Sequence, residues 1–324
     1  MAEYGEQYFD KALELMTKVR VTKTDSKMGV DQWLALARAC THAKKYDFKL
    51  AEEALNAVLK SDPNNFLALF YMGDLLLVRG DYKKAIEWFN KAKMINGGDP
   101  RPLWGIGDAH TGMKEFQKAM EVYRDVYDSF GNLSEAAYKF GVGLKNLNRL
   151  DESIHFHEEA IALDPTKAKF HLGLVDIYLP RIMDFSAKKH LNAAMALEPE
   201  NPWCHFYQGI YLEMRRKIDE AMTEYQYAVY YGPEMLDVKY QLANILSTAG
   251  NSFPGNNFSN DNPADKMEYI PFKNVGQAYQ LYREILAINP KYKHAELIQT
   301  QLVILEDILA TENRLDEMIN TPAP

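Results

Sequence analysis

The feature that most constrains this chain is a period. Ala51, Ala85, Ala119, Ser153, Ala187 and Ala221 stand 34 residues apart, and the residues around each keep their chemistry. The stretch from Phe66 to Asp99 shows the unit plainly. Its first half carries Leu69, Met72, Gly73 and Leu76 at helical spacing, its second half carries Ala85, Phe89 and Ala92, and Arg79-Gly80-Asp81 breaks the two. A chain of 324 residues could hold two ordinary globular domains. A fixed period along most of it predicts one elongated array of helix pairs instead.

The register runs in both directions from this unit. Gly73, Gly107, Gly141 and Gly209 occupy one position of it, with Val175 as the exception, and Pro63, Pro165, Pro199 and Pro233 close their units, where Gly97 and Gly131 stand in others. Ala278 follows Ala221 by 57 residues, one period plus an insertion of 23. That insertion, at 250–272, is rich in Asn, Gly and Pro and interrupts a unit between its two helices. The expected organisation is therefore a half-repeat helix (Glu6 to Val19) and loop over 1–29, an array of about seven units over 30–290, and a capping helix and tail over 291–324. In the cap, Ile298, Leu302, Leu305 and Leu309 share a face.

Composition removes several classes of function. Hydrophobic residues make up 47% of the chain and charged residues 25%, enough apolar material for a folded core. The net charge of -8 and the lack of any block of five or more Lys/Arg argue against nucleic acid. Cys40 and Cys204 form no CxxC and no disulfide framework. The amino terminus has acids where a secretory signal needs bases, and the longest apolar stretch, Phe66 to Val78, is interrupted by Asp74. The expectation is a cytoplasmic protein without membrane insertion.

The sequence of a large residue, Leu, Gly, a Tyr-like residue, Ala, an aromatic, Ala and Pro at this period resembles the tetratricopeptide repeat. The resemblance covers about Val30 to Pro290. It implies an all-α fold, a right-handed α-solenoid of stacked antiparallel helix pairs, whose concave face is lined by the first helix of each pair. It also implies binding rather than catalysis. Physically, Gly lets the two helices of a unit approach, Ala keeps the seam narrow, and the aromatic fills the groove against the next unit.

The register then names candidate partner-binding residues. The fifth position reads Phe70, Trp104, Tyr138, Leu172, Phe206 and Tyr240; Tyr71 and Tyr207 lie beside it, and Asp74, Asp108 and Asp176 fall at the ninth. Aromatics of this kind either pack on a neighbouring first helix or anchor a partner. The subfamily that grips carboxylate tails uses Lys at the fifth position and Asn at the ninth, a pairing absent here, so the ninth-position Asp residues suit a protein or peptide partner with basic and apolar residues. Arg101, Lys139, Lys145 and Lys169 lie on the same helices and moderate that preference.

No chemistry competes with this reading. His155 and His157 point in different directions from one helix, and the 256–265 Asn/Asp cluster lacks the alternation and closing Glu of a calcium loop, so no metal or cofactor is expected. Phosphate-loop, nucleophile-elbow and zinc-protease motifs are missing, and no enzyme activity is expected. Two readings stay open beside the groove-binding adaptor: a self-assembling homo-oligomeric scaffold, and an accessory subunit of an enzyme complex.

Overall fold

A computed structural model describes residues 29–42, 47–233, 235–249, 273–290 and 292–320. The amino-terminal half-repeat helix and the insertion at 250–272 lie outside the described residues. The described residues form fifteen helices and no strand. They divide into two compact units, Met1–Met183 and Asp184–Pro324.

In the first unit the helices are α1 (Val30–His42), α2 (Phe48–Ser61), α3 (Phe66–Arg79), α4 (Tyr82–Ile95), α5 (Arg101–Gly112), α6 (Phe116–Phe130), α7 (Ser134–Asn146), α8 (Leu150–Leu163) and α9 (Ala168–Tyr178). Odd-numbered members are the first helices of their pairs. Each packs on its sequence neighbours, and α1 also meets α3, α3 meets α5 and α7 meets α9, so first helices adjoin one another. The small residues that define the period are all fully buried: Ala51, Ala85, Ala119 and Ser153. Ser153 is tolerated because its hydroxyl donates to the Gly141 carbonyl at 2.7 Å, which leaves no buried polar atom unpaired there.

What draws the pairs together is a ring set between glycines. A Cβ added at Gly73 or Gly105 would lie 2.6 or 2.4 Å from the Phe89 ring, and one at Gly107 or Gly143 would lie 2.3 or 2.9 Å from Tyr123. His157 holds the equivalent place between Gly141 and Gly173, at 3.3 and 2.8 Å. One glycine of each set belongs to the partner helix within the pair and the other to the following first helix. Any side chain at these positions must displace a ring that is itself in the core.

Between the two helices of a pair the chain turns through a left-handed residue at the same period. Gly80 (φ 86°), Lys114 (60°), Asn148 (60°), Ile182 (56°) and Arg216 (60°) share that conformation. In each case the next N–H reaches back five residues: Asp81 to Leu76 at 2.8 Å, Glu115 to His110 and Arg149 to Leu144 at 2.9 Å, Met183 to Tyr178 and Lys217 to Leu212 at 3.0 Å. This is the Schellman closure of a helix, which glycine adopts most readily. Only one of the five is glycine, so the hydrogen-bonded turn overrides the local preference.

The second unit comprises α10 (Asp184–Leu197), α11 (Pro202–Met214), α12 (Ile218–Tyr231), α13 (Leu236–Ala249), α14 (Lys273–Ile288) and α15 (Ala295–Asn320). Its core gathers Ala221, Tyr225, Ala228, Ala243, Leu246, Ala278, Tyr282 and Ile285. Gly209 repeats the seam, with an added Cβ 2.5 Å from the Tyr225 ring. Although 23 residues are inserted between them, α13 and α14 pack on each other as a regular pair, and Tyr282 donates to Asn244 Oδ1 at 2.6 Å. On α15, Ile298 and Leu305 are buried, with Leu302 and Leu309 packed beside them. The face expected of the cap is the face that meets the core.

Two substitutions test these constraints in opposite directions. Gly107→Leu should overpack the Tyr123 seam and lower stability by about 1 to 3 kcal/mol. Ile182 is 74% exposed and β-branched at a left-handed φ, so Ile182→Gly should raise stability by about 1 kcal/mol despite the added chain entropy. Chemical denaturation of both variants checks the pair.

Candidate functional site

The candidate residues of the first unit lie on neighbouring first helices. On α3, Phe70 contacts Phe66 (6.4 Å between centroids), Tyr71 (5.6 Å) and the buried Phe89 (5.8 Å). The Arg101 guanidinium of α5 lies over Phe66 and Phe70 at 5.4 and 5.3 Å. Asp99 fixes it there through contacts of 2.6 to 3.0 Å to Nε and Nη2, and those hydrogen bonds hold the Asp99 carboxyl below its ordinary pKa. One turn along α5, Trp104 is half-buried and borders an open depression of about 490 Å³ lined by Asn96, Gly98, Asp99, Pro100 and Arg101. Its indole N–H is buried and has no hydrogen-bond partner.

The other candidates are more fully engaged within the fold. Tyr138 is half-buried against Phe170 (5.2 Å) and His157 (5.3 Å), with Lys169 Nζ 5.6 Å above its ring. Asp108 accepts from Tyr123 Oη at 2.6 Å and from Lys139 Nζ at 2.8 Å on both oxygens. Burial first, and then Asp108, pushes the Tyr123 hydroxyl far above its usual pKa. Asp176 is paired with Lys145, and Lys169 with Glu135. The basic partner suggested by the ninth-position carboxylates is therefore not needed to neutralise Asp108 and Asp176, because lysines of adjacent first helices already do so. Asp74 is half-buried on α3.

In the second unit the candidate rings sit deeper. Phe206, only 9% exposed, belongs to the core beside Tyr225 (6.0 Å), and its ring also meets Trp203 and Tyr207. Tyr207 is half-buried on the same helix. Tyr240 is stacked on His294 at 4.5 Å and 15°, with Tyr292 and Tyr282 at 6.0 and 6.2 Å. Its ring faces are thus taken by the segment that leads into α15. Fifth-position spacing brings the rings to one side of their helices; it does not decide which remain open.

Two features of the site went unread in the sequence. Arg101 is the planar lid of the Phe66–Phe70 pair, for which Asp99-x-Arg101 was the only local signal. The cross-repeat ion pairs carried a clearer one: Asp108–Lys139, Lys145–Asp176 and, in the second unit, Asp184–Arg215 are each 31 residues apart.

A tetratricopeptide-repeat model matches residues 36–100, the stretch that contains the α3–α4 pair. Over those residues the chain is similar to the tetratricopeptide-repeat family. Among curated proteins, the BBSome complex member BBS4 of Bos taurus is 22% identical over 61% of this chain and 41% of its own length. A repeat-containing protein of Methanocaldococcus jannaschii is 23% identical over 68% of this chain and 40% of its own. The chain thus spans well under half of each of these relatives. A thermophilic protein of the family from Thermus thermophilus shares the fold with a TM-score of 0.52 at 20% identity, covering 56% of this chain and 99% of that one. The APC/C hetero-tetramer Cut9-Hcn1 gives 0.60 at 14% identity, covering 92% of this chain and 52% of that one. Among the described residues, no helix is long and apolar enough to cross a membrane.

Within the repeat, His157 is the irregular member of the ring series. Its side chain is fully buried, neither ring nitrogen has a partner, and burial, aided by Lys145 and opposed by Asp176, holds its pKa down at about 3 against a usual 6.5. The unfolded chain takes up this proton more readily than the folded one, so stability present above pH 6.5 is lost as pH falls from 6.5 toward 3. His157→Phe supplies the ring found at Phe89. It should raise stability at neutral pH by about 1 to 2 kcal/mol, through removal of unpaired buried groups, and flatten the acid limb of the stability-pH curve.

Proposed function

We propose that this tetratricopeptide-repeat protein is a non-catalytic scaffold that holds a peptide or helical segment of a partner protein along its first helices. The groove is centred on Phe66, Phe70, Arg101 and Trp104. The observation that carries this reading is Trp104: a large, half-open ring that borders an open depression. Aromatic and Arg anchors of this type dominate interface energetics. Because Asp99, Asp108 and Asp176 are paired within the chain, the fitting segment presents apolar side chains rather than a row of charges. Tyr71, Asp74 and Tyr138 flank it.

A second reading, a subunit of a larger assembly, is supported by the similarity to a BBSome complex member and to the Cut9-Hcn1 hetero-tetramer. The two readings share a surface and differ in how permanently it is occupied.

Trp104→Ala combined with Phe70→Ala tests the site. Partners captured by the wild-type chain and identified by mass spectrometry should bind the variant about 2 kcal/mol or more weakly per ring removed, with melting lowered only moderately. If the rings serve packing alone, each truncation opens a cavity worth about 3 to 5 kcal/mol, melting collapses, and any surviving fold keeps its capture. Retained capture by a folded variant would count against these helices as the binding face.

A further inference from the structure

His205, in the second unit, takes no part in the peptide site and stands in an arrangement of its own. It lies on α11, 9% exposed. Nδ1 is 2.7 Å from Glu224 Oε2 on α12, and Nε2 is 2.8 Å from the Pro199 carbonyl in the turn between α10 and α11. A carbonyl only accepts, so Nε2 carries a proton; an ionised carboxylate only accepts, so Nδ1 carries one too. The doubly protonated imidazolium alone satisfies both. Its faces agree with that charge, since Tyr231 stacks on the ring at 5.3 Å and 19° and Tyr227 lies at 5.4 Å and 42°, a geometry that favours a cation.

Charged groups reach the pair from the neighbouring elements. From α10, Lys188 interacts electrostatically with Glu224 and bonds Gln208 of α11. From the turn, Glu198 adds negative charge near Cys204, the neighbour of His205, and binds the Asn201 side chain. On α12 the titratable groups at the ring are Glu224, Tyr227 and Tyr231. Of these, Glu224 is the carboxylate in contact with the imidazole, and Lys188 interacts with Glu224.

We propose that His205 is a pH-operated staple of the second unit: its imidazolium ties the Pro199 turn to α12, and deprotonation as pH rises releases one of the two ties. Loss of either ring proton sets a nitrogen lone pair against an oxygen lone pair. The hydrogen bond to Glu224, opposed by burial and helped by the Pro199 carbonyl, raises the pKa above its usual 6.5. A raised folded-state pKa gives stability that is complete below 6.5 and is lost as pH rises through the folded value. This has the opposite sign to His157 in the first unit. The inference rests on the fold and stands whether or not the peptide site is right.

The test uses the full chain with ¹⁵N-labelled histidine, its eight imidazoles distinguished by a His205→Gln variant. Both nitrogens of His205 should be protonated at pH 6.5, with a titration midpoint above 6.5 that falls by about one pH unit or more in Glu224→Gln. A midpoint at or below 6.5, or a singly protonated ring at that pH, overturns the proposal. In parallel, the urea midpoint of the wild type should decline between pH 6.5 and 9 more steeply than that of His205→Gln. Parallel declines would also overturn it. If His205→Gln fails to fold, Glu224→Gln carries the same comparison, with the same two outcomes.

Discussion

Three successive helix pairs of the first unit each seat a ring between two glycines, and the rest of that unit depends on this contact. Phe89, Tyr123 and Tyr225 press so closely on the backbone of the opposing first helix that a methyl group there would overlap the ring, and His157 stands tight against Gly141, 3.3 Å from an added Cβ. This contact sets how near the helices come and which faces meet. The buried Ala at the start of the same second helix narrows the seam further. The glycine position is filled otherwise at Ala39, Val175 and Ala243, and the ring position at Leu55 and Leu191. The chain divides into its two units at 183/184, between Val175 and Leu191.

Charge is handled between repeats rather than left for a partner. Lys139 with Asp108, Lys145 with Asp176, and Lys169 with Glu135 join successive first helices, each pair part-exposed and individually modest in energy. They also cancel much of the local field of the carboxylates along these helices. The open part of the first unit is then aromatic: Phe66 and Phe70 under Arg101, with Trp104 beside them.

The helices were legible in the sequence because their constraint is periodic. Gly73 and Ala85 locate α3 and α4, and Ala278 with Tyr282 locates α14 beyond the insertion, because a helix pair cannot bury its seam in any other register. The left-handed turns were not legible at Lys114, Asn148, Ile182 and Arg216, since the hydrogen bonds that impose them come from the carbonyl five residues back and not from the residue's own preference. Nor could fifth-position spacing separate Trp104, bordering an open depression, from Phe206, buried in a core. The two share a place in the repeat and differ in what the neighbouring segments lay against them. Tyr240 makes the same point, covered by Tyr292 and His294 from beyond the array's regular positions.

The central claim is that glycine is required on the first helices because of the ring it faces. A double-mutant cycle between Gly107 and Tyr123, read by urea denaturation, addresses it directly. With Tyr123 in place, Gly107→Ala should destabilise by about 1 to 3 kcal/mol. In a Tyr123→Leu background the same change should become neutral or stabilising by up to about 1 kcal/mol, the ordinary helix preference for Ala over Gly. An equal loss in both backgrounds would show that the glycine answers to something other than the ring, and would contradict the account.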